Sequence, residues 1–172
     1  MIRQPCIFIT GFMGAGKTSV AVALSRRLGC SMADLDQFIT EREGRSPQRI
    51  IDENGEAEFR QIETRALHQL LKQGAARVVA LGGGTWTIEE NRGLIKEHGG
   101  LTVWLDAPVQ LCWRRIKDTV AERPLSRTRA NFRRLFDARR ALYETADLRV
   151  EVEEQQSADE IALEIMTTIE KR

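Results

Sequence analysis

The residues at 11–18, Gly-Phe-Met-Gly-Ala-Gly-Lys-Thr, have the types and the spacing of a phosphate-binding loop. They follow an apolar run at 6–10 and precede a helical pattern at 19–24, the context that a GxxxxGK motif followed by Ser or Thr requires. Such loops direct backbone N–H groups and a helix N-terminus at a polyphosphate, which an ordinary glycine turn does not do. The residues that we expect to contact the nucleotide phosphates are Gly11, Met13, Gly14, Ala15, Gly16, Lys17, Thr18 and Ser19.

Two carboxylates, Asp34 and Asp36, end a short strand that we predict at 31–36. One of them could face Mg²⁺ while the other holds a hydroxyl of an acceptor. The alternative is that Asp36 caps the next helix and Asp34 is a surface acid. Phosphoryl transfer needs metal ligands, cations for the transferring group and a means of holding the acceptor hydroxyl in line. We expect Asp36 to hold that hydroxyl.

Arg60 and Glu63 are three residues apart on a helix predicted at 56–73, so the acid can orient the guanidinium. Taken alone, this spacing is also typical of a solvated surface pair. If the helix faces a crevice instead, the planar fork of arginine suits a bound carboxylate.

The triple glycine at 82–84 directly follows a buried apolar run at 78–81. Glycine lets backbone approach a ligand closely, although a plain turn would use the same residues.

Basic residues cluster between Arg114 and Arg140, and three interpretations fit them: a solvated face, a nucleic-acid patch or a lid. The 26 Lys and Arg residues are balanced by 25 Asp and Glu residues, which counts against nucleic acid. We predict a lid over about 118–129 that closes over the nucleotide and adds the charge of Arg123 to the transferring phosphoryl group.

Strands and helices alternate five times along the chain, which predicts a parallel sheet with helices on both faces. Ligands bind off the carboxyl ends of such strands. This rule brings together the loop at 11–18, the carboxylates at 34 and 36, the glycines at 82–84, and Asp106. We also predict an arginine-rich helix at 131–145.

The length of 172 residues fits one domain spanning 1–172. Three cysteines without a CxxC pair argue against a disulfide framework or a thiolate zinc site. The first strand begins by residue 6, and no apolar run approaches 18 residues, so we expect neither a signal sequence nor a membrane span. These features predict a soluble, cytoplasmic protein.

Taken together, these motifs resemble the shikimate kinase family over essentially the whole chain. The matching pieces are Asp-Leu-Asp at 34–36, Gly-Glu-Ala-Glu-Phe-Arg-Gln-Ile-Glu at 55–63, Leu-Gly-Gly-Gly at 81–84, Arg-Pro-Leu at 123–125 and Ala-Arg-Arg-Ala-Leu-Tyr at 138–143, besides the phosphate loop. The resemblance implies an α/β P-loop NTPase fold, a three-layer α/β/α sandwich with a five-stranded parallel sheet of order 2-3-1-4-5 and a mobile lid. Its substrate-binding helices would span about 36–73.

The resemblance also implies an activity, the ATP-dependent phosphorylation of the shikimate 3-hydroxyl on the route to chorismate and aromatic amino acids. The implied partners are ATP, shikimate and Mg²⁺, with no nucleic acid and no membrane, in a monomer. Thr18 and Asp34 would hold the metal, Lys17, Asp36 and Arg123 would be catalytic, and Arg115 and Gln156 would contact adenine. The implied substrate-binding residues are Asp36, Phe59, Arg60, Glu63, Gly82, Gly83, Gly84 and Arg139.

Three departures from the family pattern are visible. Ser126 occupies a lid position where a second leucine is common, and Trp86 after the triple glycine is unfamiliar. The doubled Arg139-Arg140 leaves a choice of carboxylate ligand, which we resolve to Arg139 because it precedes Tyr143 by four residues. Two other functions stay open: a related P-loop kinase of another hydroxy acid such as gluconate, and a non-catalytic sensor of nucleotide or shikimate.

Overall fold

The computed structural model describes residues 5–117 and 128–171. Within these residues, five strands form one parallel sheet in the order β2-β3-β1-β4-β5. The strands are β1 (Ile7–Gly11), β2 (Met32–Asp34), β3 (Val78–Ala80), β4 (Leu101–Asp106) and β5 (Leu148–Glu151). The predicted sheet and its strand order are therefore confirmed.

Helices flank this sheet and complete the three-layer α/β/α architecture. They are α1 (Lys17–Leu28), α2 (Leu35–Glu43), α3 (Pro47–Asn54), α4 (Glu56–Gln73), α5 (Glu89–Glu97), α6 (Val109–Ile116), α7 (Arg129–Tyr143) and α8 (Ala158–Glu170), with a 3-10 turn at Thr85–Thr87. Helix α4 has the predicted bounds, whereas α7 begins and ends two residues before the predicted 131–145. The earlier start follows from Thr128, whose hydroxyl accepts the backbone N–H of Asn131 at 3.1 Å and caps the helix.

The central strand is β1, which is buried along its whole length. Ile9 pairs with Ala80 of β3 on one side and with Val103 of β4 on the other. A strand covered on both edges and both faces needs a continuous apolar run, which residues 6–9 supply. The loop that follows β1 therefore leaves the sheet at the middle of its carboxyl edge. By contrast, β5 alternates between buried and exposed residues, as predicted for an edge strand.

Strand β2 is shorter than predicted, because it ends at Asp34 and not at residue 36. The Asp34 carboxylate caps α2: its Oδ1 accepts the backbone N–H groups of Asp36 at 3.0 Å and Gln37 at 3.1 Å. Aspartate is among the preferred capping residues, so the chain turns into the helix at this point. Asp36 consequently lies in the first turn of α2, and the alternative in which it is the cap is wrong.

The three cysteines are free thiols. Burial raises the pKa of Cys6 and of Cys112 to about 11, so both remain protonated near neutral pH. In the two described stretches, no helix combines the length and the apolar character that crossing a membrane demands.

We predict that Leu67→Ala lowers the free energy of unfolding by about 2–5 kcal/mol, because the fully buried side chain leaves a cavity in the core. Leu163→Ala on α8 is the matched control, since that leucine is 45% exposed, and its effect should stay within ~0.5 kcal/mol. Urea denaturation measures both variants. Similar losses would contradict the assignment of the core.

Candidate active site

The phosphate loop joins β1 to α1 at the carboxyl edge of the sheet. Gly14 and Gly16 have left-handed φ angles of 81° and 98°, which glycine adopts without strain. A Cβ on Gly14 would also lie 2.6 Å from the carbonyl oxygen of Cys112 on α6. Both glycines are thus required by the backbone path, and the predicted strand, loop and helix arrangement is confirmed.

Two cations contact this loop. Lys17 donates from Nζ to the carbonyl of Phe12 at 3.0 Å, and Arg115 donates from Nη1 to the carbonyl of Gly14 at 3.1 Å. Helix α1 begins at Lys17, and no acidic residue lies in its first turn. The helix dipole and both side chains therefore make this region favourable for a polyanion.

The metal-ligand pair predicted from the sequence is brought together. The Thr18 hydroxyl donates to Oδ2 of Asp34 at 2.6 Å, although the residues are 16 positions apart. A hydroxyl and a carboxylate are oxygen ligands of the kind that Mg²⁺ takes, usually with substrate phosphates completing its coordination. The two side chains at the start of α1 and the end of β2 therefore fit a magnesium ion bound with a nucleotide.

The acceptor side of the site is built around Gly82. A Cβ on this glycine would lie 2.8 Å from Oδ1 of Asp36, 2.9 Å from Oγ1 of Thr85 and 3.0 Å from Oε1 of Glu63. Three side-chain oxygens thus surround the first residue of the triple glycine, which is more than the plain turn would need. Asp36 reaches this point from the first turn of α2.

Arg60 and Glu63 form a pair on α4 in which Glu63 is buried and the Arg60 side chain is 21% exposed, so the interpretation as a solvated surface pair is wrong. Glu63 is fully buried, and its Oε2 accepts Nη1 of Arg60 at 2.8 Å. Burial of the Arg60 guanidinium lowers its pKa, but attraction to Glu63 and the hydrogen bonds that Arg60 donates to Glu63 and Glu56 outweigh that effect and raise the pKa above its ordinary value. Arg60 is therefore a permanent cation, held at one edge by carboxylates.

The doubled arginine of α7 divides into two different environments. Arg139 is buried, and its Nη1 donates to the carbonyl of Gly83 at 3.4 Å. Arg140 points elsewhere, where both its Nη groups bond the carboxylate of Asp106 at 2.7 and 2.8 Å. Asp106 lies at the carboxyl end of β4, as predicted, but its carboxylate is bound by Arg140 and Arg149. Of these two arginines, Arg139 is therefore the one that faces the triple glycine.

The acceptor and phosphate sides meet at Gly83. A Cβ on this residue would lie 3.4 Å from the backbone nitrogen of Met13 in the phosphate loop. On the following residue, Gly84, a Cβ would overlap the guanidinium of Arg60. The triple glycine thus lies between the loop and the arginine, and Gly84 has no room for a side chain while Arg60 keeps this position.

The remaining predicted site residues differ in their burial and in their bonding partners. Phe59 is buried beneath the guanidinium of Arg60, whose Cζ lies 5.1 Å from the ring centroid. Ala15 is buried in the loop, and Ser19 is exposed in the first turn of α1. Gln156 bonds the backbone N–H of Glu153 at 3.2 Å and the carboxylate of Glu164 at 3.3 Å. Arg123 and most of the predicted lid lie outside the described residues.

Two sets of contacts were missed in the sequence. Phe12 of the loop packs edge-on against Phe132 and Phe136 of α7, with centroids 4.9 and 5.2 Å apart. Trp86 donates from Nε1 to the carbonyl of Leu142 at 3.1 Å. A buried tryptophan N–H usually finds a partner, which was the available signal for the second contact. The loop, the triple glycine and α7 are consequently tied together.

Comparison with known proteins decides the family. The family model described as shikimate kinase matches residues 13–170. The chain belongs to the shikimate kinase family. Among curated shikimate kinases, it is 40% identical to that of Ruegeria pomeroyi over 96% of this chain and 85% of the relative. It is 37% identical to that of Nostoc punctiforme over 95% of this chain and 90% of the relative.

Solved shikimate kinases share the fold. The structure from Acinetobacter baumannii, in complex with shikimate, has a TM-score of 0.90 and 34% identity over 98% of this chain and 94% of that one. The structure from Aquifex aeolicus has a TM-score of 0.82 and 35% identity over 95% of each chain. This shikimate kinase family member is therefore an ATP-using kinase, and the resemblance found in the sequence is confirmed.

For this kinase, we predict that Arg140→Ala lowers the free energy of unfolding by about 1–3 kcal/mol. The mostly buried carboxylate of Asp106, 7% exposed, loses a two-bond partner. Arg133→Ala removes an exposed pair with Asp137 on the same helix and should cost at most ~0.5 kcal/mol. Thermal and urea unfolding compare the two; equal losses would show that the Asp106 pair has no structural role.

Proposed function

We propose that this chain transfers the γ-phosphoryl group of ATP to the 3-hydroxyl of shikimate, giving shikimate 3-phosphate and ADP. The observation that carries the proposal is the contact between two half-sites. A phosphate loop and a pocket edge with Asp36, Arg60 and Arg139 meet where Gly83 lies against Met13. Shikimate offers a carboxylate for the arginines and hydroxyls for the aspartate. The A. baumannii relative was solved with this acid bound.

On the acceptor side, Arg60 and Arg139 bind the shikimate carboxylate, with the ring over Gly82–Gly84. Asp36 accepts a hydrogen bond from the 3-hydroxyl and takes its proton as that oxygen attacks the γ-phosphorus. The new O–P bond forms while the bond to the β-phosphate oxygen breaks, and ADP leaves. Holding both reactants in one geometry supplies much of the rate gain in such transfers.

On the nucleotide side, backbone N–H groups at 11–18 bind the phosphates, and the charge of Lys17 stabilises the transferring group. Thr18 and Asp34 would hold Mg²⁺, which when bound neutralises phosphate charge. Arg115 and Gln156 would contact adenine. The role of Arg123 on a lid over 118–129 stays a prediction from the sequence.

The remaining expectations concern the state of the protein. A single domain, a monomeric state and a cytoplasmic location stay predictions. The proposed partners are the two small molecules ATP and shikimate.

We predict Mg²⁺-dependent release of ADP that shikimate stimulates, measured by a coupled assay over a panel of hydroxy acids that includes gluconate. Stimulation by gluconate with none by shikimate would reassign the acceptor. Tight binding of shikimate or ATP by calorimetry, without transfer in a single turnover of radiolabelled ATP, would indicate a sensor. Lys17→Ala is the control, because turnover should fall by about 10²-fold or more when the charge on the transferring group is lost.

Gly84→Ala tests the acceptor side with one methyl group. The new Cβ would overlap the Arg60 guanidinium, so we expect the KM for shikimate to rise about tenfold or more, while the KM for ATP stays within about twofold. Gly84 has a φ of −108°, so alanine brings no backbone strain. Gly93→Ala is the matched control, because nothing lies within 4 Å of its added Cβ. An unchanged KM for shikimate in Gly84→Ala would contradict the placement of Arg60.

A further inference from the structure

Arg60 on α4 and Arg139 on α7 are the two arginines proposed to bind the shikimate carboxylate. The 3-10 turn after the triple glycine contacts both of these helices. Thr85 and Trp86 are adjacent and buried, and their side chains bond in different directions. The Thr85 hydroxyl donates to Oε1 of Glu63 on α4 at 2.6 Å. The Trp86 indole donates to the carbonyl of Leu142 at the end of α7 at 3.1 Å. One turn thus reaches the helix of Arg60 and the helix of Arg139.

On the α4 side, the hydrogen bonds form a continuous chain from Thr85 through Glu63 to Arg60. The two oxygens of the buried Glu63 carboxylate have different donors, Thr85 at 2.6 Å and Arg60 at 2.8 Å. Two donors on opposite oxygens fix the plane of the carboxylate. Arg60 donates one Nη to this carboxylate and the other to Glu56 at 3.0 Å, so two carboxylates direct its planar guanidinium, and Thr85 orients one of them.

On the α7 side, the turn and the glycines hold the last helical turn at two points. Trp86 donates to the carbonyl of Leu142 at the end of α7, which also accepts the backbone N–H and the hydroxyl of Thr145. One residue further on, the Tyr143 hydroxyl donates to the carbonyl of Gly83. Arg139 lies one helical turn before Tyr143 and bonds the same carbonyl at 3.4 Å. The position of Arg139 thus depends on this end of α7.

The turn itself is held from a third helix, α5. Asn91 donates from Nδ2 to the carbonyl of Thr85 at 3.0 Å, and Arg92 donates from Nη1 to the carbonyl of Trp86 at 2.8 Å. A turn fixed through its own backbone carbonyls can serve as a rigid reference for the two side chains that leave it.

We propose that Thr85 and Trp86 are positioning residues that set the separation and the direction of the Arg60 and Arg139 guanidinium groups, and thereby the affinity for the acid. The inference rests on the proposed function, because it concerns the same two arginines that bind the carboxylate of shikimate. The side chains of both residues bond the helices of the acceptor side, so we expect both to act on the acceptor. Trp86 is thus a structural part of the acceptor site.

The test uses Thr85→Val, which keeps the side-chain shape and removes the donor to Glu63. We expect the KM for shikimate to rise about tenfold, the equivalent of one lost hydrogen bond to a charged group. The kcat and the KM for ATP should stay within about twofold. Thr85→Ser, which keeps the hydroxyl, should restore most of the affinity.

The matched control is Thr102→Val on β4. Thr102 is also buried, and its hydroxyl also bonds a carboxylate at 2.6 Å, that of Asp147. This variant should lower stability in urea, although by less because Asp147 is exposed and Glu63 is buried, and it should leave the KM for shikimate unchanged. If Thr102→Val raises that KM as much as Thr85→Val does, or if serine at position 85 gives no rescue, Thr85 only stabilises the fold and the inference is wrong.

A double-mutant cycle separates an effect through Arg60 from an independent one. In an Arg60→Ala background, Thr85→Val should change kcat/KM for shikimate by less than about twofold, because the residue it acts through is absent. An undiminished tenfold effect would overturn the inference.

Trp86→Phe, which removes only the N–H donor and one ring, should raise the KM for shikimate and not that for ATP. A wild-type protein that never phosphorylates shikimate refutes the proposed function instead, so the two failures are distinguishable.

Discussion

The buried carboxylate of Glu63 is the group on which the acceptor side of this kinase depends. Removing a carboxylate from water costs several kcal/mol unless charged and polar partners replace the lost hydration. Arg60 and Thr85 are those partners, one on each oxygen. The requirement to satisfy Glu63 therefore fixes where Arg60 lies, and it holds the turn after the triple glycine against α4.

The second constraint is the parallel sheet, which gathers segments that are distant in sequence. The carboxyl ends of β1, β2 and β3 lead directly to the phosphate loop, to Asp34 and Asp36, and to Gly82–Gly84. Helix α7 then joins these parts, because it contacts the loop through Phe12 and the glycines through Arg139. The site is thus an outcome of topology, with side-chain contacts determining its finer geometry.

Local signals made much of this predictable. An apolar run followed by a glycine loop and a helix identifies β1 and its phosphate loop, because every part of the signal lies within about twenty residues. Whether the Arg60 and Glu63 pair is exposed or buried was not predictable in this way, since the three-residue spacing is the same on a solvent-exposed and on a buried helix face. The contact that shows the burial of Glu63 is its hydrogen bond from Thr85, which lies 22 residues away in the sequence. The end of β2 was misplaced because aspartate both follows strands and caps helices, and only the bonds of Asp34 distinguish the two.

The most direct measurement is a crystal structure of the protein with ADP and shikimate. We expect the shikimate carboxylate between the guanidinium groups of Arg60 and Arg139, the 3-hydroxyl beside Asp36, and the β-phosphate in the loop at 11–18. A carboxylate bound to Arg140, or a ring away from Gly82–Gly84, would contradict it.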